Sequence, residues 1–366
     1  LEGTLSAGAP RVAFVGDSIT HDGRYLGFVQ LAETLADPAT RAAWIWKEGP
    51  GAFRLFRNRF VSDGTPARIH VSADMRYVLR LDGRRICRGP ERGEVGSWTY
   101  RTLDLDLPKG EHVLEAVVRH GGNPPLAQTS SRAGFILSAD GAYDAKLTTG
   151  KGGWRVATVG DVTFAGETGG AFGAGLPDVV RGTAPEFAQP PESAFAEPEV
   201  VRAPHPVSPF CHTLPGWKLV ETTLPRQMDR PFPLPGFSPM TVPAQTAREI
   251  TCDLGGYFCV YPEIAVTGGK GAEIRVSWAE NRDKLAQGFT DTFLPDGGEN
   301  RFGTSWFRPG TLVRLRGRTA PLFPPGIRPP FRPGGIRACP HWSCGPLKGP
   351  SPQPPSQSPA CPQVSS

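Results

Sequence analysis

The strongest constraint on this chain is a run of short segments in which apolar and polar residues alternate. In "ARIHVSAD" (67–74), Ile69 and Val71 fall on one face, and Arg68 and His70 on the other. "RYVLRLDG" (76–83) repeats the pattern with Tyr77, Leu79 and Leu81 inward and Arg80 outward, and Asp82-Gly83 supplies a hairpin turn. "WTYRTLDLDL" then runs into a turn at Lys109-Gly110, followed by "EHVLEAVVRHGG", "AGFILSADGAYDAKLTT" with a second Asp-Gly turn at Asp140-Gly141, and "GGWRVAT". A period of two belongs to strands with one buried face, and hairpin turns make neighbouring strands antiparallel. The spacing predicts a mainly β protein whose first unit is an antiparallel β-sandwich over residues 42–164.

The flanking segments differ. Residues 1–40 open with an apolar run, Val12 to Val15, then Gly16-Asp17-Ser18, then Leu26, Phe28, Val29, Leu31 and Leu35 at helical spacing. That is a short strand-turn-helix segment, stopped near Pro38. Residues 165–245 are rich in Gly, Pro and Ala, and stretches such as "RPFPLPGFSPM" predict an extended connector, because proline brings no ladder donor. A second, truncated β unit is expected over residues 246–308, where Ile274, Val276 and Trp278 alternate with Glu273, Arg275 and Ser277. From Pro309 to Ser366 there are 15 prolines in 58 residues and no Asp or Glu, so the tail is expected to be disordered. Two origins fit it: a Pro-rich linker, or a frame-shifted end of a longer gene.

Composition narrows the function classes. Hydrophobic content of 39% with 20% charge fits a soluble protein, and no apolar run is long enough to span a membrane. The formal charge of +5 is concentrated: the tail from residue 309 holds seven Lys/Arg, so the rest carries about −2 and offers no basic surface for nucleic acid. The seven cysteines are scattered without a Cys-x-x-Cys pair, which predicts mostly free thiols in a reducing compartment rather than zinc sites, and leaves localisation as cytoplasmic or undetermined. No secretory leader is visible, although the chain begins at Leu1. No cofactor motif occurs, since the glycine-rich "GETGGAFGAGLPDVVRG" lacks the strand before it and helix after it that a phosphate loop needs.

Several motifs together resemble the N-terminal β domains of bacterial α-L-rhamnosidases, glycoside hydrolase family 78. They are "WIWKEGPGAFRLFRNRF", "ARIHVSADMRYVLRLDGRRICRGP", "GSWTYRTLDLDLPKGEHVLEAVV" and "CDLGGYFCVYPEIAVTGGKGAEIRVSWAE". In order, they match a framework Phe-Arg-x-x-Phe, an "AD-x-RY" strand closing on Gly-Pro, a Trp-x-Tyr strand, a Lys-Gly-Glu turn and an "Asp-Leu-Gly-Gly" strand, across residues 42–285. The resemblance implies a non-catalytic β-sandwich beside a helical barrel that releases L-rhamnose, with rhamnose-containing glycans as partners. Hydrolysis needs two carboxyls ~6.5–9.5 Å apart in an inverting enzyme. No acid follows Glu299 and no helical repeats follow the second β unit, so no catalytic carboxylate is assigned.

The opening "FVGDSITHDGRYLGFVQLAETL" is similar to the first sequence block of SGNH (GDSL) esterases, which implies Ser18 as nucleophile and Asp17 as its acid neighbour. A serine needs a base within hydrogen-bond reach. The Asp-x-x-His that supplies it in that family is absent, and His21 is too near in sequence to take its place. The alternative is a plain turn in which Asp17 or Ser18 caps the helix. For sugar binding, aromatic faces stack on rings while acids and amides bond hydroxyls. Trp98 and Tyr100, with Asp74 and Arg76 near hairpin ends where a sandwich could present them, are the substrate-binding candidates, and Trp44, Trp46 and Asp82 are weaker ones. One tryptophan of each pair is expected in the core. Asp140 and Asp144 are too few for calcium, which takes roughly 6–8 oxygens, so no metal is expected. A β module without any ligand is the third reading.

Overall fold

A computed structural model describes residues 41–319, except 94–96, 122–129, 131, 166–174, 205–218, 228–229, 232 and 287, together with the backbone of Ile336–Cys344. The strand-turn-helix segment expected over residues 1–40, and most of the tail, lie outside the described residues.

The first unit contains β1 (Trp44–Trp46), β2 (Phe53–Ser62), β3 (Ala67–Ala73), β4 (Arg76–Leu81), β5 (Arg84–Gly89), β6 (Trp98–Leu105), β7 (Gly110–Arg119), β8 (Phe135–Ala139) and β9 (Arg155–Thr158). A five-stranded sheet ordered β5-β4-β7-β2-β9 packs against a sheet in which β1, β8, β3 and β6 are successive neighbours. Every pairing among these nine strands is antiparallel. Ile69 and Val71 point between the sheets, with Phe56, Leu79, Leu114 and Leu137 in the same core cluster. Phe56 and Phe135 stack there at 5.0 Å. The β4–β5 turn has Asp82 at φ 51° and Gly83 at φ 75°, the pair of left-handed residues that matches strand twist in a two-residue hairpin.

The next segment does more than connect. It carries β10 (Asp161–Phe164), β11 (Asp178–Arg181), β12 (Glu199–Arg202), β13 (Leu219–Glu221), β14 (Arg230–Pro231) and β15 (Met240–Val242). β12 pairs antiparallel with β1, and β13 pairs parallel with β6, which completes a six-stranded sheet. β10, β11, β14 and β15 join the second sheet instead. That sheet also contains β16 (Ala247–Thr267), β17 (Glu273–Ala279), β18 (Phe289–Leu294), β19 (Glu299–Gly303), β20 (Arg308–Arg318) and β21 (Ile336–Cys344). The prolines of 165–245 therefore separate short strands that lace the two units together, which corrects the expectation of a plain connector.

The expected boundary at 308 also moves. β20 runs to Arg318 between β16 and β17, with Val313 and Leu315 buried while Arg314, Arg316 and Arg318 point outward. Pro309 fits because it lies opposite Cys259, beside a register shift between Asp253 and Phe258 where the ladder is already irregular. Within the region expected as tail, Ile336–Cys344 pairs antiparallel with Val260–Thr267.

The second sheet covers the outer face of the five-stranded sheet. Phe53, Leu55, Val117 and Ala157 from that face share a core with Val180, Val276, Phe293, Phe302 and Val313. Arg80, read as pointing to solvent, is consequently buried. Deep in the second unit Arg308 has no exposed surface. It donates from Nε and Nη2 to the two oxygens of Asp291 at 2.8 and 2.7 Å, with Asp178 at 3.7 Å. Removing one member of such a group strands a buried charge. Arg308→Met is therefore expected to lower unfolding free energy by ~3–5 kcal/mol in urea titrations. A change below ~1 kcal/mol would contradict the arrangement.

Candidate functional site

Strands of the five-stranded sheet turn one face to the sandwich core and the other to the second unit. The second face carries a row of arginines. Arginine suits a half-buried seam because its long stem packs against apolar neighbours while a planar fork of donors satisfies several acceptors. Arg57 donates from Nε to Glu115 at 2.8 Å and from Nη1 to Glu192 at 3.1 Å, and its guanidinium lies 4.1 Å from the Phe195 ring centre. This ties the segment around residue 192 to β2.

The centre of the seam is Glu186. Arg85 Nη1 donates to it at 2.6 Å and to Glu263 at 3.1 Å, and Arg88 Nη2 donates to both Glu186 oxygens at 3.1 Å. Burial pushes the Glu186 carboxyl up, but Arg88, Arg85 and Arg80 outweigh it and hold the group below its ordinary range. Arg88 also stacks 4.1 Å from the Tyr261 ring centre. Arg76 bridges the units directly, donating to Pro90 O at 2.7 Å and to Tyr261 Oη at 2.9 Å, over the Trp306 ring at 4.6 Å.

Beside this network is an open groove of about 530 Å³, lined among others by Arg80, Arg84, Arg85, Glu186, Phe187, Gln189, Glu263 and Arg301. That volume is within the range of small-molecule sites, roughly 300–1,000 Å³. Arg301 lies 4.2 Å from the centre of the Phe187 ring and donates to Glu263 at 3.4 Å. The groove offers guanidinium and amide donors, carboxylate and amide acceptors, and one aromatic ring. It is poorly suited to acid catalysis. A glycosidase acid must hold a proton near neutral pH, whereas the arginines around Glu186 favour its ionised form. The arrangement can accept hydrogen bonds from hydroxyls, and Glu186 is held ionised within it.

Of the residues singled out from sequence, Arg76 alone belongs to this seam. Ser18, with Asp17 and His21, lies outside the described residues. Trp98 is 0% exposed and Tyr100 4%, so neither ring offers a face for stacking, which corrects the expectation. Both lie on the outward face of the six-stranded sheet, clustered with Trp44, Ile136 and Leu219 of β13. The Trp98 indole donates to Ala73 O at 3.1 Å, and the Tyr100 ring meets His70 edge-on at 5.8 Å. Trp44 and Trp46 are both buried, where one of the two was expected to be.

Asp74 is fully enclosed, which removes it as a sugar ligand. It accepts from Ser130 Oγ at 2.6 Å and from the Arg132 amide at 3.2 Å, pinning a loop. His120 completes a Ser-His-Asp cluster, but its Nε2 faces both Ser130 Oγ, at 3.2 Å, and Asp74, at 3.6 Å. A catalytic histidine uses opposite nitrogens for the two partners. Asp82 accepts from His112 and from the Val113 amide. Asp140 and Asp144 each hold their own cation, Arg41 at 2.8 Å and Lys151 at 2.9 Å.

The seam residues Arg88, Glu186, Glu263 and Arg301 were missed from sequence. The signal was present in the row Arg76, Arg80, Arg88 on the non-core face of one hairpin, too regular a set of arginines for a solvated surface. The pH behaviour follows from Glu186. A depressed folded pKa contributes stability above the ordinary carboxylate range, and that stability is lost as pH falls through the folded value. Glu186→Gln is expected to lower the melting temperature at neutral pH and to flatten the acid limb of the stability profile. An unchanged acid limb in thermal melts would show that the arginines do not hold this carboxylate.

No family model matches the chain, and no curated protein matches it. Solved structures similar to it include a glycoside hydrolase family 78 rhamnosidase of Bacillus sp. GL1, 18% identical, with a TM-score of 0.43 over 86% of this chain and 34% of that one. The α-L-rhamnosidase from Dictyoglumus thermophilum is 16% identical, with a TM-score of 0.49 over 81% of this chain and 35% of its own. The α-L-rhamnosidase from Aspergillus terreus is 15% identical, with a TM-score of 0.48 over 82% and 36%. The chain thus spans about a third of the length of the rhamnosidase structures it resembles.

Proposed function

We propose that this chain is the non-catalytic β platform of an α-L-rhamnosidase-like glycoside hydrolase, and that its open seam groove holds part of a rhamnose-containing glycan. The observation that carries this reading is where the shared motif residues fall. Arg57 of the framework Phe-Arg-x-x-Phe holds Glu192 of the segment that runs between the two β units. Arg76 of the "AD-x-RY" strand meets Pro90 of the closing Gly-Pro and Tyr261 of the second unit. A motif that served core packing alone would consist of apolar residues. Here its charged members join the two β units, as expected of a support whose shape matters to a neighbouring domain. The groove's donors, acceptors and single ring suit a hydroxyl-rich ligand, and its ion-paired acids suit binding over hydrolysis.

The test is a titration of the full chain with L-rhamnose and rhamnose-bearing plant glycans, following tryptophan fluorescence and heat. Saturable binding in the millimolar range is expected, weakened at least about tenfold in a Phe187→Ala, Gln189→Ala double variant. No release of p-nitrophenol from p-nitrophenyl α-L-rhamnoside is expected. Absence of binding would favour a β module without a ligand, and turnover of the rhamnoside would overturn the non-catalytic assignment.

A further inference from the structure

The closed end of the seam contains a group that the glycan reading does not use. Arg119, the last residue of β7, is 2% exposed and lines a cavity together with Arg76, Arg88, Tyr261, Ser305 and Asp178. Its Nη1 donates to Ser305 Oγ at 2.9 Å, and Ser305 in turn bonds the Asp178 carboxylate. Arg119 therefore reaches an acid only through a hydroxyl. Its flat face lies 4.3 Å from the Phe164 ring centre and 5.7 Å from that of Trp306, so aromatic contact takes the face and leaves the edge. The edge groups, Nε–H and Nη2–H, have no hydrogen-bond partner among the described residues.

Those two donors lie side by side and parallel. They form the fork that matches the two oxygens of a carboxylate. A buried donor without an acceptor is destabilising, and two on one charged group more so. Charge agrees with geometry. The lining holds Arg76, Arg88 and Arg119 against Asp178 and Glu186, an excess of one positive charge. Both acids are engaged already, Asp178 by Ser305 and Arg308, and Glu186 by Arg85 and Arg88. Burial, with Arg308 and Arg76 nearby, pulls the Arg119 guanidinium down to about 10 despite the opposing pull of Asp178. A bound anion would relieve that strain.

Size limits the ligand. The cavity measures about 40 Å³. A single water needs roughly 10–15 Å³ by the same measure. There is room for a few atoms and none for a sugar ring. We infer that the closed end of the seam is a binding site for a small monocarboxylate of the formate or acetate class, held bidentate by Arg119 Nε and Nη2, with Arg76 completing the positive surround. Bound there, the anion would neutralise the excess charge between the two β units and stiffen their joint. This inference does not depend on the groove binding a glycan.

The experiment compares sodium formate with sodium chloride at equal ionic strength, on the full chain. Melting temperature and fluorescence of the tryptophans, Trp306 among them, are the readouts. Formate is expected to raise the melting temperature saturably by about 2–4 °C beyond chloride and to shift the fluorescence over the same concentrations. Arg119→Lys keeps the charge and loses the fork, so the formate increment should vanish while the chloride response stays. Equal effects of the two salts would overturn the proposal and point to water or a halide at the fork. So would an undiminished formate response in R119K. Should R119K fail to fold, the formate–chloride difference in the unaltered protein decides the question by itself.

Discussion

The arrangement depends on one constraint: a β-sheet with charged residues on both sides of its seam must satisfy them where it is covered. The five-stranded sheet meets that constraint with arginines. Their stems extend the apolar contact of Leu55 and Val117, and their heads converge on Glu115 of the same sheet and on Glu186 and Glu263 from the covering layer. Each exposed ion pair of this kind contributes little, about 0–1 kcal/mol. Under cover, with several donors on one carboxylate, the group becomes a lock: no single partner can leave without stranding another. Position follows from this lock. Both the groove and the smaller cavity are lined by residues of this network, Arg85, Glu186 and Glu263 in the one and Arg76, Arg88 and Glu186 in the other.

Much of the first unit was legible because its strands follow a simple period. Ile69 and Val71 face the core, and Asp82-Gly83 makes the hairpin that its φ values demand. Legibility failed where a second layer reused the outer face. Arg80 alternates as a solvent residue should, and no local pattern tells solvent from a covering domain. Trp98 and Tyr100 failed for the same reason: on the sheet's other outer face, Leu219 from a distant strand completes their cluster. The proline-rich stretches were misread for a different reason. Proline excludes regular central pairing, yet it tolerates the short strands and the place beside a register shift that Pro309 occupies.

The candidate site was less legible than the fold. Arg76 stands out in the sequence as a sugar ligand presented near a hairpin end, whereas the structure buries it in the seam. Its partners Tyr261 and Trp306 lie more than a hundred residues away, and only the packing of two units brings them together. Glu186 sits in a segment without periodicity, so nothing local marked it. The same lock holds Glu186 ionised, so this carboxylate serves as an acceptor.

The central claim is that the arginine seam makes one rigid body of two β units. Scanning calorimetry tests it most directly, by comparing the measured unfolding enthalpy with the van't Hoff value. The account predicts a single transition with the two enthalpies equal, and its separation into two when Arg88 and Glu186 are both replaced by apolar residues. Two resolved transitions in the unaltered protein would contradict it.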